Sequence, residues 1–198
     1  MTINLMRVLL TGFEPFGGSD INSSWETASQ IGQLTISGVD IEVVRLPVSF
    51  IGSGKLIRKL LQTHKPDALV MLGQRGKGQN IDIERIAVNM MDSVNPDNDG
   101  FCPHELPIVE NECNAYFSNV SVKILKDALE NANIPSKVSN SAGLYVCNCT
   151  YYNALSEIYD NELSTKAVFV HLPKLSEDFT IELLVESIKK IIEEILNQ

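Results

Sequence analysis

Short apolar runs and helical stripes take turns along this chain. Arg7 to Thr11 reads as a strand, and Val39 to Leu46 alternates like a half-buried one. Asn22-Ser-Ser-Trp-Glu26 reads as a helix cap leading into Thr27 to Ile31. Ser53 to Thr63 carries Leu56, Ile57, Leu60 and Leu61 at helical period, with Pro66 beyond its end. Ala68 to Leu72 predicts a short buried strand stopped by Gly73, and Ile83 to Met90 predicts another. Asp92 to Pro107 is a long polar loop rich in Asn, Asp and Pro. Val122 to Asn131 is an amphipathic helix, and Lys137 to Asn140 and Leu144 to Val146 are strand-like, with a helix following Cys147. Lys166 to His171 is a buried strand. Thr180 to Leu196 is the longest helical stretch, its stripe made by Ile181, Leu184, Val185, Ile188, Ile191, Ile192 and Ile195. Such alternation predicts a single α/β domain over residues 1–198, a sheet covered by helices on both faces.

Composition narrows the setting. At 198 residues and 44% hydrophobic, the chain can bury a sizeable core, which excludes disorder. No apolar run approaches the roughly 18 residues of a membrane span. The opening Met-Thr-Ile-Asn-Leu-Met-Arg-Val-Leu-Leu reads as a first strand and lacks the features of a signal peptide. A net charge of −9 without a basic stripe argues against nucleic acid or an anionic membrane as partner. The four cysteines, Cys102, Cys113, Cys147 and Cys149, are too few for a disulfide scaffold and predict a reducing, cytoplasmic setting. Their spacing, including Cys102-x-His104 and Cys147-x-Cys149, does not match a zinc site.

The candidate chemistry gathers at two points of the pattern. Cys147 stands where an apolar run gives way to a helix, beside free N–H groups whose partial positive charge favours a thiolate and can hold an oxyanion. A cysteine there is also a common buried residue, so it needs partners. His171 ends a very apolar strand, and carboxyl ends of strands are where ligand sites gather in such sheets, which makes it the best general base. His64 lies at a solvated helix end, and His104 has no obvious partner in the loop. Glu84, in a mostly apolar segment, is a candidate to orient the imidazole; a plain salt bridge with Arg85 or another base is its alternative. Thr11-Gly-Phe-Glu-Pro-Phe-Gly-Gly18 lacks a phosphate-loop pattern, and Phe13 and Phe16 suit either a flat apolar pocket or the core.

These segments, together with Leu72-Gly-Gln74, Glu84-Arg-Ile-Ala-Val-Asn89, Pro96-Asp-Asn, Ala115-Tyr-Phe-Ser118, Ser139-Asn-Ser-Ala-Gly-Leu-Tyr-Val-Cys147-Asn148 and Val170-His171-Leu-Pro173, run in order over nearly the whole chain. In them the chain resembles the pyroglutamyl peptidase I (pyrrolidone carboxyl peptidase) family of cysteine peptidases. The resemblance implies a three-layer α/β/α sandwich around an open, twisted, largely parallel sheet. It implies a Cys147-His171-Glu84 triad, a pocket for an amino-terminal pyroglutamyl ring lined by Phe13, Phe16, Gln74, Tyr145 and Val146, peptide substrates, no metal or organic cofactor, and homo-oligomers, often tetramers. The chain departs from the usual Ala-Gly-Gly-Arg after Leu-Gly-Gln: it reads Arg75-Gly-Lys77-Gly78, and Tyr145 replaces a usual phenylalanine. A binder of N-terminally blocked peptides, another thiol hydrolase on the same scaffold, and a Cys147–Cys149 redox protein remain alternative readings.

Overall fold

The structure, a computed structural model, describes residues 5–76 and 78–198. The first four residues of the expected opening strand and the charge of Lys77 lie outside the described residues. In chain order the elements are β1 (Met6–Phe13), α1 (Ser23–Ile31), β2 (Val39–Leu46), α2 (Phe50–His64), β3 (Ala68–Arg75), β4 (Ile81–Glu84), β5 (Ile86–Val88), β6 (Ala115–Phe117), α3 (Val122–Asn131), β7 (Ser136–Ser139), α4 (Val146–Asp160), β8 (Lys166–Pro173) and α5 (Ile181–Asn197). Six strands form one sheet in the order β2-β1-β3-β8-β4-β7, parallel throughout except where β4 meets β8. β5 and β6 make a separate antiparallel ribbon.

Side-chain alternation along the strands builds the layers. Val8, Leu10, Val70, Leu72, Val168 and Val170 join one buried cluster with α1, α3 and α5. Leu9, Leu69, Met71 and Phe169 point the other way, into a second cluster with α2 and α4. The result is the expected α/β sandwich with a largely parallel sheet. The apolar stripe of α5 is buried at Leu184, Ile188, Ile191, Ile192 and Ile195, as its period predicts. The same parity carries a consequence for chemistry. Ile81 and Ile83 of β4 enter the first cluster, so Asp82 and Glu84 face the α4 side, as His171 does beside Phe169.

Several local readings change, among them that of β8, which does not end at His171 but runs on to Pro173 in register with β3. β3 runs on through Gly73 to Arg75, because β8 pairs with it along its full length. The stretch from Ile83 to Met90 is not one strand: after Glu84 the chain leaves the sheet, and Ile86–Val88 pairs with β6, a strand the sequence pattern did not predict. Leu144–Val146 is not a strand, since among the described residues no strand pairs with it; Val146 already opens α4, so Cys147 sits in a helical first turn and not at a strand end. α2 starts at Phe50, before Ser53, because Ser49 caps it through Gly52 N at 2.9 Å. The long loop is tied back near its end, where Leu106 forms a bridge with Met91 just before the loop begins.

α4 is buried on nearly every side from Val146 to Ile158, enclosed by the sheet, α2 and the β5–β6 ribbon. A polar seam fixes it to α2. Arg58 donates to Asn153 Oδ1 at 2.7 Å, Ser156 Oγ at 2.8 Å and Glu157 Oε2 at 2.9 Å, while Gln62 donates to Glu157 Oε1 at 2.9 Å. Arg58 keeps some solvent exposure whereas Glu157 is buried, so loss of the guanidinium leaves the carboxylate short of a partner. Arg58→Met should lower unfolding free energy by about 2 kcal/mol, measured by urea unfolding; a change below about 0.5 kcal/mol, the scale of an ordinary surface substitution, would contradict this account of the seam.

Candidate active site

Gly73 of β3 stands in register with His171 of β8. A Cβ at position 73 would lie 2.8 Å from the Phe169 ring and 3.0 Å from Cys147 Sγ. Only the bare backbone of glycine lets the first turn of α4 set its sulfur against the end of the sheet. The residue before that helix, Tyr145, offers no side-chain cap, so the first-turn N–H groups beside Cys147 are left without one.

His171 is buried, with its ring 4.9 Å from that of Phe169. Its Nδ1 lies 2.7 Å from Glu84 Oε1. An ionised carboxylate only accepts, so Nδ1 carries the hydrogen and Nε2 is the nitrogen left for Cys147. Burial works to lower the imidazole pKa, but the charge and hydrogen bonding of Cys147, followed by those of Glu84, reverse it and raise the value to about 9. Glu84 and His171 thus meet directly, and Cys147 stands near enough for its charge to bear on the imidazole.

Glu84 is fully buried, and it also receives Arg75: Nη2 lies 3.1 Å from the same Oε1. Arg75 Nη1 is 2.6 Å from Asp82 Oδ2, and Lys137 Nζ is 3.6 Å from Asp82 Oδ1. Burial nonetheless raises the pKa of Asp82 against the pull of these cations. The alternative partner Arg85 turns away and donates to Asn140 Oδ1 at 3.1 Å. Sequence reading passed over Asp82, although strand period puts residues two apart on one face, and it noted Arg75 only as a departure.

Beside the sulfur is a pocket of about 240 Å³, open mouth included, lined by Phe13, Phe16, Asn22, Val48, Gln74, Tyr145, Val146 and Cys147. All five residues expected to line a ring pocket are among them. Phe13 is buried and leans on Phe169 at 6.4 Å, whereas Phe16 is half-buried at the mouth. Gln74 Oε1 accepts from Ser23 N at 2.8 Å, at the start of α1, so its amide NH₂ is the end free to donate. Asn22, read from sequence as a cap, performs that role: Oδ1 accepts from Ser24 N at 3.1 Å and Nδ2 donates to Glu14 O at 2.9 Å. Val48 gave no signal in the sequence.

The long loop braces this pocket. Asp97 accepts from Phe50 N and Phe101 N, each at 2.9 Å, and Asn98 donates to Glu14 Oε1 at 2.8 Å. Tyr145, edge-on to Phe50, donates its hydroxyl to Pro96 O at 3.0 Å. The remaining candidates stand apart. Cys149 is buried with its sulfur on Phe50 O at 3.4 Å, and burial pushes its thiol up to about 12. His64 pairs with Glu42 at 2.6 Å, and exposed His104 lies 3.8 Å from Asp92. Among the described residues, no helix is long and apolar enough to cross a membrane.

Comparison with known proteins converges on one family. The model of the pyroglutamyl peptidase family matches residues 6–193. A pyrrolidone-carboxylate peptidase of Thermococcus kodakarensis is 45% identical over 168 residues, 85% of this chain and 81% of that protein. One from Thermosipho africanus is 37% identical over 202 residues, covering 96% and 98% of the two chains. Among solved structures, pyrrolidone carboxyl peptidase from Fervidobacterium islandicum superposes with a TM-score of 0.91 at 33% identity, covering 97% of this chain and 99% of that one. Pyroglutamyl peptidase I from Bacillus amyloliquefaciens gives 0.89 at 29% identity over 94% and 92%. Fold, motif order and these likenesses agree: the chain belongs to the pyroglutamyl peptidase family.

Proposed function

We propose that residues 1–198 form one catalytic domain, a cysteine exopeptidase that removes an amino-terminal pyroglutamyl residue from peptides. The observation that carries this reading is the buried Glu84–His171 pair, 2.7 Å apart, meeting Cys147 on the wall of an uncharged pocket. Cys147 attacks the carbonyl that joins pyroglutamate to the next residue, and the first-turn N–H groups of α4 receive the developing oxyanion. His171, protonated between sulfur and carboxylate, gives its proton to the leaving amine. Glu84 keeps the imidazole oriented. The resulting thioester is hydrolysed by a water that His171, now neutral, deprotonates, and pyroglutamate leaves as the thiol is restored.

The pocket argues for the substrate class. Apart from the nucleophile Cys147, no lining residue carries a charge, and the oxygens of Asn22 and Gln74 are already engaged. A lactam ring, which has no ammonium group, enters at little electrostatic cost, with Gln74 NH₂ donating to its carbonyl and Phe16 and Phe13 supplying apolar walls. A linear glutamine or glutamate terminus brings a charged amine that finds no carboxylate in the lining, a penalty of several kcal/mol. We place the enzyme in the reducing cytoplasm, a reading supported by its four free cysteines. We also infer a homo-oligomer, for which exposed Val94, Met90 and Leu106 on one loop offer apolar contact surface.

Two outcomes test the reading. The parent protein should release fluorophore from a pyroglutamyl aminocoumarin amide and leave the glutaminyl amide nearly untouched, while Cys147→Ser abolishes turnover. Binding without turnover by the parent would return the binder reading, and turnover of acyl thioesters in place of the amide would return another thiol hydrolase. The pH dependence follows from His171: its raised pKa keeps the imidazolium present below about 9 and removes it above. The kcat/KM profile should therefore fall on the alkaline side near pH 9; a descending limb near pH 6.5, the ordinary histidine value, would contradict the role given to the imidazolium.

A further inference from the structure

Two carboxylates, Asp82 and Glu84, lie on one face of β4 with 1% and 0% exposure. Buried carboxylates so close together do not both stay ionised unless cations compensate them. Among the described residues, the groups that face them are Arg75 from β3, Lys137 from β7, His171 from β8, and Cys147 and Tyr151 from α4. Lys137 is more than half exposed and stands at 3.6 Å from Asp82 only. Tyr151 donates its hydroxyl to the Glu84 backbone carbonyl at 3.1 Å, not to the carboxylate. His171 carries charge only while protonated. Arg75 is the permanent cation that reaches both acids.

Its fork does three things at once. Reaching across β8, Nη1 takes Asp82, Nη2 takes the Glu84 oxygen that also holds His171, and Nη2 lies 3.1 Å from Ser141 O, in the segment that leads to Cys147. Of the other oxygens, Glu84 Oε2 is buried without a hydrogen-bond partner and Asp82 Oδ1 meets only the half-exposed Lys137 at 3.6 Å, so among the described residues no second cation reaches both acids.

We propose that Arg75 is a positioning residue of the active site, bridging Asp82 and Glu84 so that the Glu84 carboxylate is held in place as the acceptor for His171. The proposal rests on the peptidase reading above for its kinetic consequence, though not for its electrostatic one. Without Arg75 the buried pair loses its one permanent cation, Asp82 takes up a proton more readily, and the Glu84 carboxylate loses the fork that holds it against the imidazole. Removing a cation raises the proton affinity of every neighbour, so both limbs of the pH profile move in the alkaline direction.

The test compares the parent with Arg75→Met and Arg75→Lys, using the pyroglutamyl aminocoumarin amide across pH. Arg75→Met should lower kcat about 10-fold or more at pH 7, with KM changed less than about twofold, and shift the kcat/KM profile upward by about one unit. Arg75→Lys should hold the profile in place while recovering only part of kcat, since a point charge replaces the fork. Unshifted limbs in Arg75→Met, whatever their height, would overturn the proposal and leave Arg75 a purely structural residue. Should Arg75→Met fail to fold, the double variant Arg75→Met with Asp82→Asn removes one charge of each sign; parent-like limbs in it support the proposal, and limbs displaced upward contradict it. Titration of the His171 ring by NMR, without substrate, separates this idea from the enzyme reading. Its midpoint should rise in Arg75→Met even if the parent proved inactive on the amide, and an unchanged midpoint would count against Arg75 in either case.

Discussion

A carboxylate sealed from water has to be surrounded before it can be tolerated, and Glu84 is such a group. Its position on β4 is set by strand parity, which sends Ile81 and Ile83 into one layer and Asp82 and Glu84 into the other. The antiparallel meeting of β4 and β8 then brings Asp82 into register with His171 and Glu84 into register with Phe169. The imidazole that answers the carboxylate is thereby turned toward α4. From there the arrangement propagates outward: Gly73 must lack a side chain, and the first turn of α4 must approach closely enough to bring Cys147 against the ring.

Pocket wall and sulfur share one piece of backbone. Tyr145, Val146 and Cys147 are consecutive, so the turn that walls the pocket also carries the sulfur. That turn belongs to the most enclosed helix of the fold, fixed to α2 by the Arg58 seam. It is further tied to β5 by Asn148, whose amide meets Val88 N and Val88 O, both at 2.9 Å. A rigid frame suits acyl transfer, where a misplacement of about 1 Å costs roughly 100-fold. The hydroxyl that Tyr145 adds is spent on Pro96 O and not on the pocket interior, which converts a polar substitution into a brace for the long loop.

Much of this was legible in the chain because burial has a period. β2 and α3 coincide with the predicted ranges, and Asn22 caps α1 as its residue type predicts. What periodicity misses is pairing. Gly73 looks like a strand end until β8 is known to lie beside it, and Ile83 to Met90 looks continuous until the chain turns at Arg85 to join Ala115–Phe117. Tyr145 and Val146 are apolar for the sake of the pocket and the core, not of a sheet, and Leu144 lines an adjoining cleft. At the site, Cys147, His171 and Glu84 could be named from type and context, and five of the residues that line the pocket from the family resemblance. Arg75 and Asp82 could not, because their meaning lies in distances across three strands that no local spacing encodes.

The central claim is that Cys147 forms a thioester with the pyroglutamyl group. Rapid acid quench during turnover of an activated pyroglutamyl ester, followed by mass spectrometry of proteolytic fragments, reads this directly. The account predicts that the peptide bearing Cys147 gains the mass of one pyroglutamyl group and loses it on treatment with hydroxylamine. An acyl group found on Cys149 or any other residue, or undiminished turnover by Cys147→Ala, would contradict it.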